Sequence, residues 1–167
     1  MHRERPFYYP DFSENIHYEA EIVLKVCKNG RSIEKQFAHK YYNEMTIGLD
    51  LTARDLQAEL KKKGHPWEIA KAFDNSAVLG QWIPFGEADP TNINFRLERN
   101  GEKVQIGNTG NMIFPFDELI SYISRFFKLQ MGDIIFTGTP AGVGPIAIGD
   151  RFQGFIEDQS LLNLLIK

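Results

Sequence analysis

With 167 residues, 43% of them hydrophobic, the chain has material for one sizeable core and too little length for two ordinary domains, so a single domain over 1–167 is expected. A formal charge of −3 and a pI near 5.8 leave no basic excess, which argues against nucleic acid and membrane surfaces as partners. The lone Cys27 rules out an intramolecular disulfide framework, no stretch approaches the ~20 apolar residues of a membrane span, and the N-terminus lacks an apolar signal region; a cytoplasmic protein is expected.

In chain order, the first chemistry-bearing segment is His17-Tyr18-Glu19-Ala20-Glu21, which opens the apolar run Ile22-Val23-Leu24-Lys25-Val26. In a strand, Glu19 and Glu21 point to one face, because extended side chains alternate with period two. Two buried like charges side by side require a positive group between them, and oxygen-only ligands favour a hard ion such as Mg²⁺, Mn²⁺ or Ca²⁺. A solvated pair on an exposed edge is the plain alternative. His17 precedes this strand and is expected to orient a neighbouring carboxylate rather than ligate, since oxygens already suffice for a hard ion.

Asn29-Gly30 divides Glu21 to Lys28 from Arg31 to Phe37, and Asn100-Gly101 divides Asn92 to Arg99 from Glu102 to Ile106. Both pairs suit type I′ turns, so two β-hairpins are expected. The apolar stretch Ile47-Gly48-Leu49 delivers Asp50 to the mouth of a helix, Ala53 to Lys63, capped by Thr52 and stopped at Gly64 with Pro66 beyond. Asp50 there is either a third carboxylate of a metal site, with Arg54 and Gln57 projecting near it, or a helix cap.

Lys71, in Ile69-Ala70-Lys71-Ala72-Phe73, is flanked by apolar residues. It is either a snorkelling surface lysine or a partly buried cation that needs an anion and can stabilise a developing enolate. A second helix is expected from Asp117 to Phe127, with Leu119, Ile120, Ile123, Phe126 and Phe127 as its packing stripe. Strands are expected at Asp133 to Thr137, Arg151 to Glu157 and Leu161 to Ile166. Between the first two, Thr137-Gly138-Thr139-Pro140-Ala141-Gly142-Val143-Gly144-Pro145 is either a wide turn or a loop that brings N–H groups and the Thr139 hydroxyl to an anionic ligand. The whole reads as mainly β with a few short helices.

The HYEAE segment, Leu49-Asp50-Leu51-Thr52-Ala53-Arg54-Asp55-Leu56-Gln57, Lys71-Ala72-Phe73 and the Thr137 to Pro145 loop together resemble the fumarylacetoacetate hydrolase family, and the nearest branch looks like its small acylpyruvase and oxaloacetate-processing members. The resemblance runs in the right order from about Phe12 to Ile166. It implies a mixed β-sandwich roll that dimerises. It also implies Mg²⁺ or Mn²⁺ held by Glu19, Glu21 and Asp50, with Lys71 as the catalytic cation. Arg54, Gln57 and Lys71 would face the substrate, and Thr139 would bind its carboxylate.

The implied activity is hydrolytic C–C cleavage, decarboxylation or tautomerisation of a small 2-oxo or 2,4-dioxo acid through a metal-stabilised enolate. Members of this branch begin some tens of residues earlier, with a strand and a lid whose His-x-x-Glu pair orients or deprotonates water. His2 and Glu4 have a different spacing and are not assigned that role. An N-terminally short catalytic domain is therefore expected, the alternative being an impaired metal and carboxylate binding remnant.

Overall fold

The computed structural model describes residues 5–167; His2 and Glu4 lie outside the described residues. Its strands are β1 (Ile16–Tyr18), β2 (Ala20–Val26), β3 (Tyr42–Asp50), β4 (Thr52–Ala53), β5 (Ala77–Leu79), β6 (Ile83–Pro84), β7 (Asn94–Arg99), β8 (Glu102–Asn108), β9 (Ile134–Phe136), β10 (Gly144–Pro145), β11 (Arg151–Ile156) and β12 (Gln159–Leu165). Three short α-helices interrupt them: α1 (Arg54–Lys63) and α2 (Glu68–Lys71) between β4 and β5, and α3 (Phe116–Phe126) between β8 and β9. The fold is thus mainly β with short helices, as the sequence indicates. Every pairing between these strands is antiparallel, and among the described residues one parallel bridge joins Phe7 to Ile166.

Three sheets form. One has the order β5-β3-β2-β9 with β6 also on β3, the second β12-β11-β7-β8, and the third is the small set β10-β1-β4. Ile22, Leu24, Ile47 and Leu49 of the first sheet share one buried apolar core with Leu97, Phe152, Leu162 and Leu164 of the second. The sheets pack tightly at Gly154, where a Cβ would meet Ile47 Cγ2 at 3.0 Å. Removing apolar surface of this extent from water is the dominant favourable contribution to the fold.

The hairpin expected at Asn100-Gly101 is present: β7 and β8 pair, and the two turn residues have φ of 55° and 86°, the left-handed conformation a type I′ turn requires. The hairpin expected at Asn29-Gly30 is not. Both edges of β2 are taken, by β3 and β9, so the segment after Gly30 has no strand to pair with. It docks on α3 instead, with Ser32 N–H donating to Ser124 O at 2.8 Å and Ile33 N–H to Ser124 Oγ at 2.8 Å, and then forms a 3-10 turn over Lys35–Lys40. Gly30 serves a close approach, since a Cβ there would lie 2.4 Å from Tyr41 Cε1.

Helix α1 ends at Gly64 in the left-handed conformation, as expected, but Ala53 precedes it and Thr52 makes no capping bond. Helix α3 buries Phe116, Ile120 and Ser124. Phe126 and Phe127, expected in the packing stripe, are 58% and 68% exposed, because the buried face follows the four-residue spacing of Phe116, Ile120 and Ser124: Phe126 lies off that face and Phe127 follows the last helical residue. The late strands lie within a residue or two of their expected ranges. No described helix is long and apolar enough to cross a membrane.

Candidate metal centre

Strand β2 begins immediately after Glu19, and its first residues pair with the end of β3: Ala20 opposes Leu49, Glu21 opposes Gly48, and Asp50 N–H donates to Glu19 O at 2.9 Å. Alternation along the extended chain puts Glu19 and Glu21 on one face, and the antiparallel register brings Asp50 to it. One carboxylate oxygen from each of the three lies within 4.8 Å of the others. Glu19 and Glu21 are buried and Asp50 is half-buried.

Two cations face these acids. Lys71, at the end of α2, donates to Glu19 Oε2 at 2.7 Å, Asp50 Oδ2 at 2.5 Å and Thr52 Oγ1 at 2.7 Å, which uses all three of its N–H bonds. Arg54, in the first turn of α1, donates to Glu19 Oε1 at 2.5 Å and to Gln57 Oε1 at 2.8 Å. The loop after β9 closes the site: Gly138 N–H donates to Glu21 Oε2 at 2.6 Å, and Thr139 Oγ1 donates to Ala20 O at 2.9 Å.

The acids titrate differently because their partners differ. Burial pushes the Glu21 carboxyl up to about 7; the Gly138 N–H opposes this, and the neighbouring Asp50 and Glu19 charges add to it. Burial also raises Asp50, despite its bond to Lys71. Burial acts to raise Glu19 too, but the bonds from Lys71 and Arg54 outweigh it and hold Glu19 below its ordinary value. Burial would lower Lys71, yet its bonds to Asp50 and Glu19 leave the ammonium above the ordinary lysine value, and so charged at neutral pH.

This donor set fits a hard divalent cation: three carboxylate oxygens converge, and Lys71 and Arg54 bond to Glu19 and Asp50 while Glu21 takes its hydrogen bond from the uncharged Gly138 N–H. The structure therefore gathers Glu19, Glu21, Asp50, Arg54, Gln57, Lys71 and the Thr139 loop at one place. His17 makes its contact elsewhere, Nε2 lying 2.9 Å from Asn15 Oδ1. Tyr18 is a core residue whose ring packs tilted against Phe152.

Three participants were not anticipated. Thr52 is the third acceptor for Lys71; it lies two residues past Asp50, so strand alternation was a usable signal for it. Gly138 contributes a backbone donor. Gln105, from β8, accepts from Ala20 N–H at 2.9 Å and donates to Thr139 Oγ1 at 2.9 Å and Pro140 O at 3.1 Å.

A mainly antiparallel β fold carrying an E-x-E strand, an Asp-Leu-Thr-Ala-Arg turn into a helix, a half-buried lysine and a Thr-Gly-Thr-Pro loop defines a recognisable class. The chain belongs to the fumarylacetoacetate hydrolase family, whose C-terminal domain model matches residues 1–166. It is 40% identical over 159 residues to the oxaloacetate tautomerase YcgM of Escherichia coli, covering 94% of this chain and 73% of that protein. It is 44% identical over 149 residues to the uncharacterized protein PH0643 of Pyrococcus horikoshii, covering 89% of this chain and 65% of the relative. Among solved structures it superposes with a TM-score of 0.92 and 38% identity on fumarylpyruvate hydrolase from Pseudomonas aeruginosa in complex with Mn²⁺ and pyruvate, over 96% of this chain and 70% of the other. The chain thus spans about two thirds to three quarters of the length of these relatives.

Proposed function

We propose that the chain forms the catalytic domain of an enzyme that processes small 2-oxo or 2,4-dioxo acids of the oxaloacetate or acylpyruvate type, with Mg²⁺ or Mn²⁺ held by Glu19, Glu21 and Asp50. The observation that carries this proposal is the convergence of those three carboxylates beside the Lys71 ammonium and the Thr139 loop. The tautomerase and hydrolase relatives support it, as does the neighbour that binds Mn²⁺ with pyruvate. When bound, the ion supplies positive charge against the oxygen that gains charge as substrate becomes an enolate.

The chain's own residues do the rest. Lys71 is held charged by Glu19 and Asp50, and by releasing one of its three hydrogen bonds it offers a second positive contact to that oxygen. Arg54 orients Glu19 and Gln57 in one stroke, leaving Gln57 to face substrate from α1. The Thr139 hydroxyl points its proton at Ala20 O, so we assign the substrate carboxylate to the Thr139 backbone N–H, which can serve without breaking that bond. Hydrolysis, decarboxylation and tautomerisation share the enolate, and the similarity to a tautomerase over 94% of this chain favours tautomerisation of oxaloacetate.

The assembly we propose is a homodimer. Ile106, Ile113, Phe114 and Leu119 line one surface cavity of about 410 Å³, and Phe114, Leu119 and Tyr122 line a second beside it, giving an exposed apolar face suited to a second copy.

A thermal melt tests the site. Ligand at ~100 times its dissociation constant stabilises by ~2.7 kcal/mol, and each kcal/mol moves the midpoint of a domain this size by about 2–4 °C. Mn²⁺ should raise the midpoint by several degrees and Mn²⁺ with oxalate should raise it further, with neither shift in Glu19→Ala. No shift in wild type would refute the metal site.

A further inference from the structure

We propose that Gln105 is a positioning residue, locking the Thr139 loop to the metal-ligand strand so that the substrate carboxylate and the carboxylate triad stay at a fixed separation. This role rests on the 2-oxo acid chemistry proposed above.

Ala20 lies between Glu19 and Glu21. Its N–H and C=O point away from β3, towards the side where β9 runs, but β9 pairs with β2 only at Val23, Leu24 and Lys25. Gln105 completes the missing partner. Its Oε1 accepts from Ala20 N–H and its Nε2 donates to Thr139 Oγ1, whose proton goes to Ala20 O, so the three residues close a ring of hydrogen bonds. The second Nε2 proton holds Pro140 O. The side-chain amide thus acts where a neighbouring strand would present a main-chain amide.

Gln105 is 2% exposed, and its burial is a consequence of a β-bulge. Leu97 opposes Gln105 while Glu98 opposes Lys103, so Val104 is the extra residue that turns Gln105 inward. The loop is seated directly on this bulge: Gly142 has φ of 101°, and a Cβ there would lie 2.6 Å from Val104 O and 3.2 Å from Gln105 Cγ. Gly138, on the same loop, holds Glu21. Gln105 is therefore bonded to the residue between the two glutamates and to the loop proposed to receive the substrate.

Binding measured by calorimetry on the 167-residue chain, well below its melting midpoint, tests the role. Gln105→Met keeps length and removes all three bonds. Mn²⁺ affinity should stay within about threefold of wild type, because the register of β2 on β3 holds the acids, while oxalate affinity for the Mn²⁺-loaded chain should fall by about tenfold or more, from a misplaced loop and unpaired buried groups. A residue that only supports the fold would lower the melting midpoint and leave both affinities unchanged, and that result overturns the proposal. If Gln105→Met does not fold, Gln105→Glu, which keeps the acceptor for Ala20 but has at most one proton for Thr139 and Pro140, carries the same comparison. Wild type that takes up neither Mn²⁺ nor oxalate removes the functional reading and this role together; wild type and variant binding both equally removes Gln105 alone.

Discussion

Lys71 Nζ lies 2.5 Å from Asp50 Oδ2 and 2.7 Å from Glu19 Oε2, bridging two members of the acidic triad from a helix of four residues. The contact ties α2 to the end of β3 and sets the lysine's charge against the cluster it serves. Lys71→Met should lower the rate on a 2-oxo acid substrate by roughly 10²-fold or more, and an unchanged steady-state rate would take the lysine out of the mechanism. The same variant leaves Glu19 and Asp50 less compensated, so its metal-free form should melt lower than wild type, with Mn²⁺ closing much of the gap.

The buried Glu21 makes both stability and metal affinity depend on pH. Its carboxyl titrates near 4.5 when unfolded and at about 7 when folded, so the folded chain binds the extra proton between those values. The stability from this group is complete below 4.5 and is lost as pH rises through 7. Metal binding requires the deprotonated form, so Mn²⁺ affinity should be about tenfold tighter at pH 8 than at pH 6, with Glu21 as the controlling group. Equal affinity at the two pH values, measured by calorimetry, would contradict this.

Thr52 is fully buried and its hydroxyl accepts from Lys71. Thr52→Val keeps the shape of the side chain and deletes that acceptor, freeing the ammonium to shift towards the acids. A rate loss of about tenfold is expected, of the size of one hydrogen bond to a charged group. A turnover number equal to wild type would show that the two carboxylates alone hold Lys71.

The exposed apolar face around Phe114 and Tyr122 should bury itself between two copies. Light scattering should give twice the 19.2 kDa chain mass for wild type and the single mass for Phe114→Glu/Tyr122→Glu. A wild type that is monomeric across a concentration series would refute the homodimer.

The amino-acid sequence by itself determined that Glu19 and Glu21 share a face, because strand period two follows from backbone geometry alone. It determined the turn at Asn100-Gly101 and the stop of α1 at Gly64, where left-handed backbone selects residues that tolerate it. The order of its motifs also indicated the family, confirmed by the match over residues 1–166. Only the tertiary structure decided the rest. Asn29-Gly30 reads locally as the same turn as Asn100-Gly101, but β3 and β9 occupy both edges of β2, and competition for edges is not written in any short segment. Alternation in Lys103-Val104-Gln105-Ile106 groups Gln105 with Lys103 and would bury Ile106; instead Ile106 is 68% exposed and Gln105 is buried. The cause is the bulge at Val104, which depends on how two strands count against each other, and the three bonds that make the inversion favourable come from Ala20, Thr139 and Pro140, all distant in the chain.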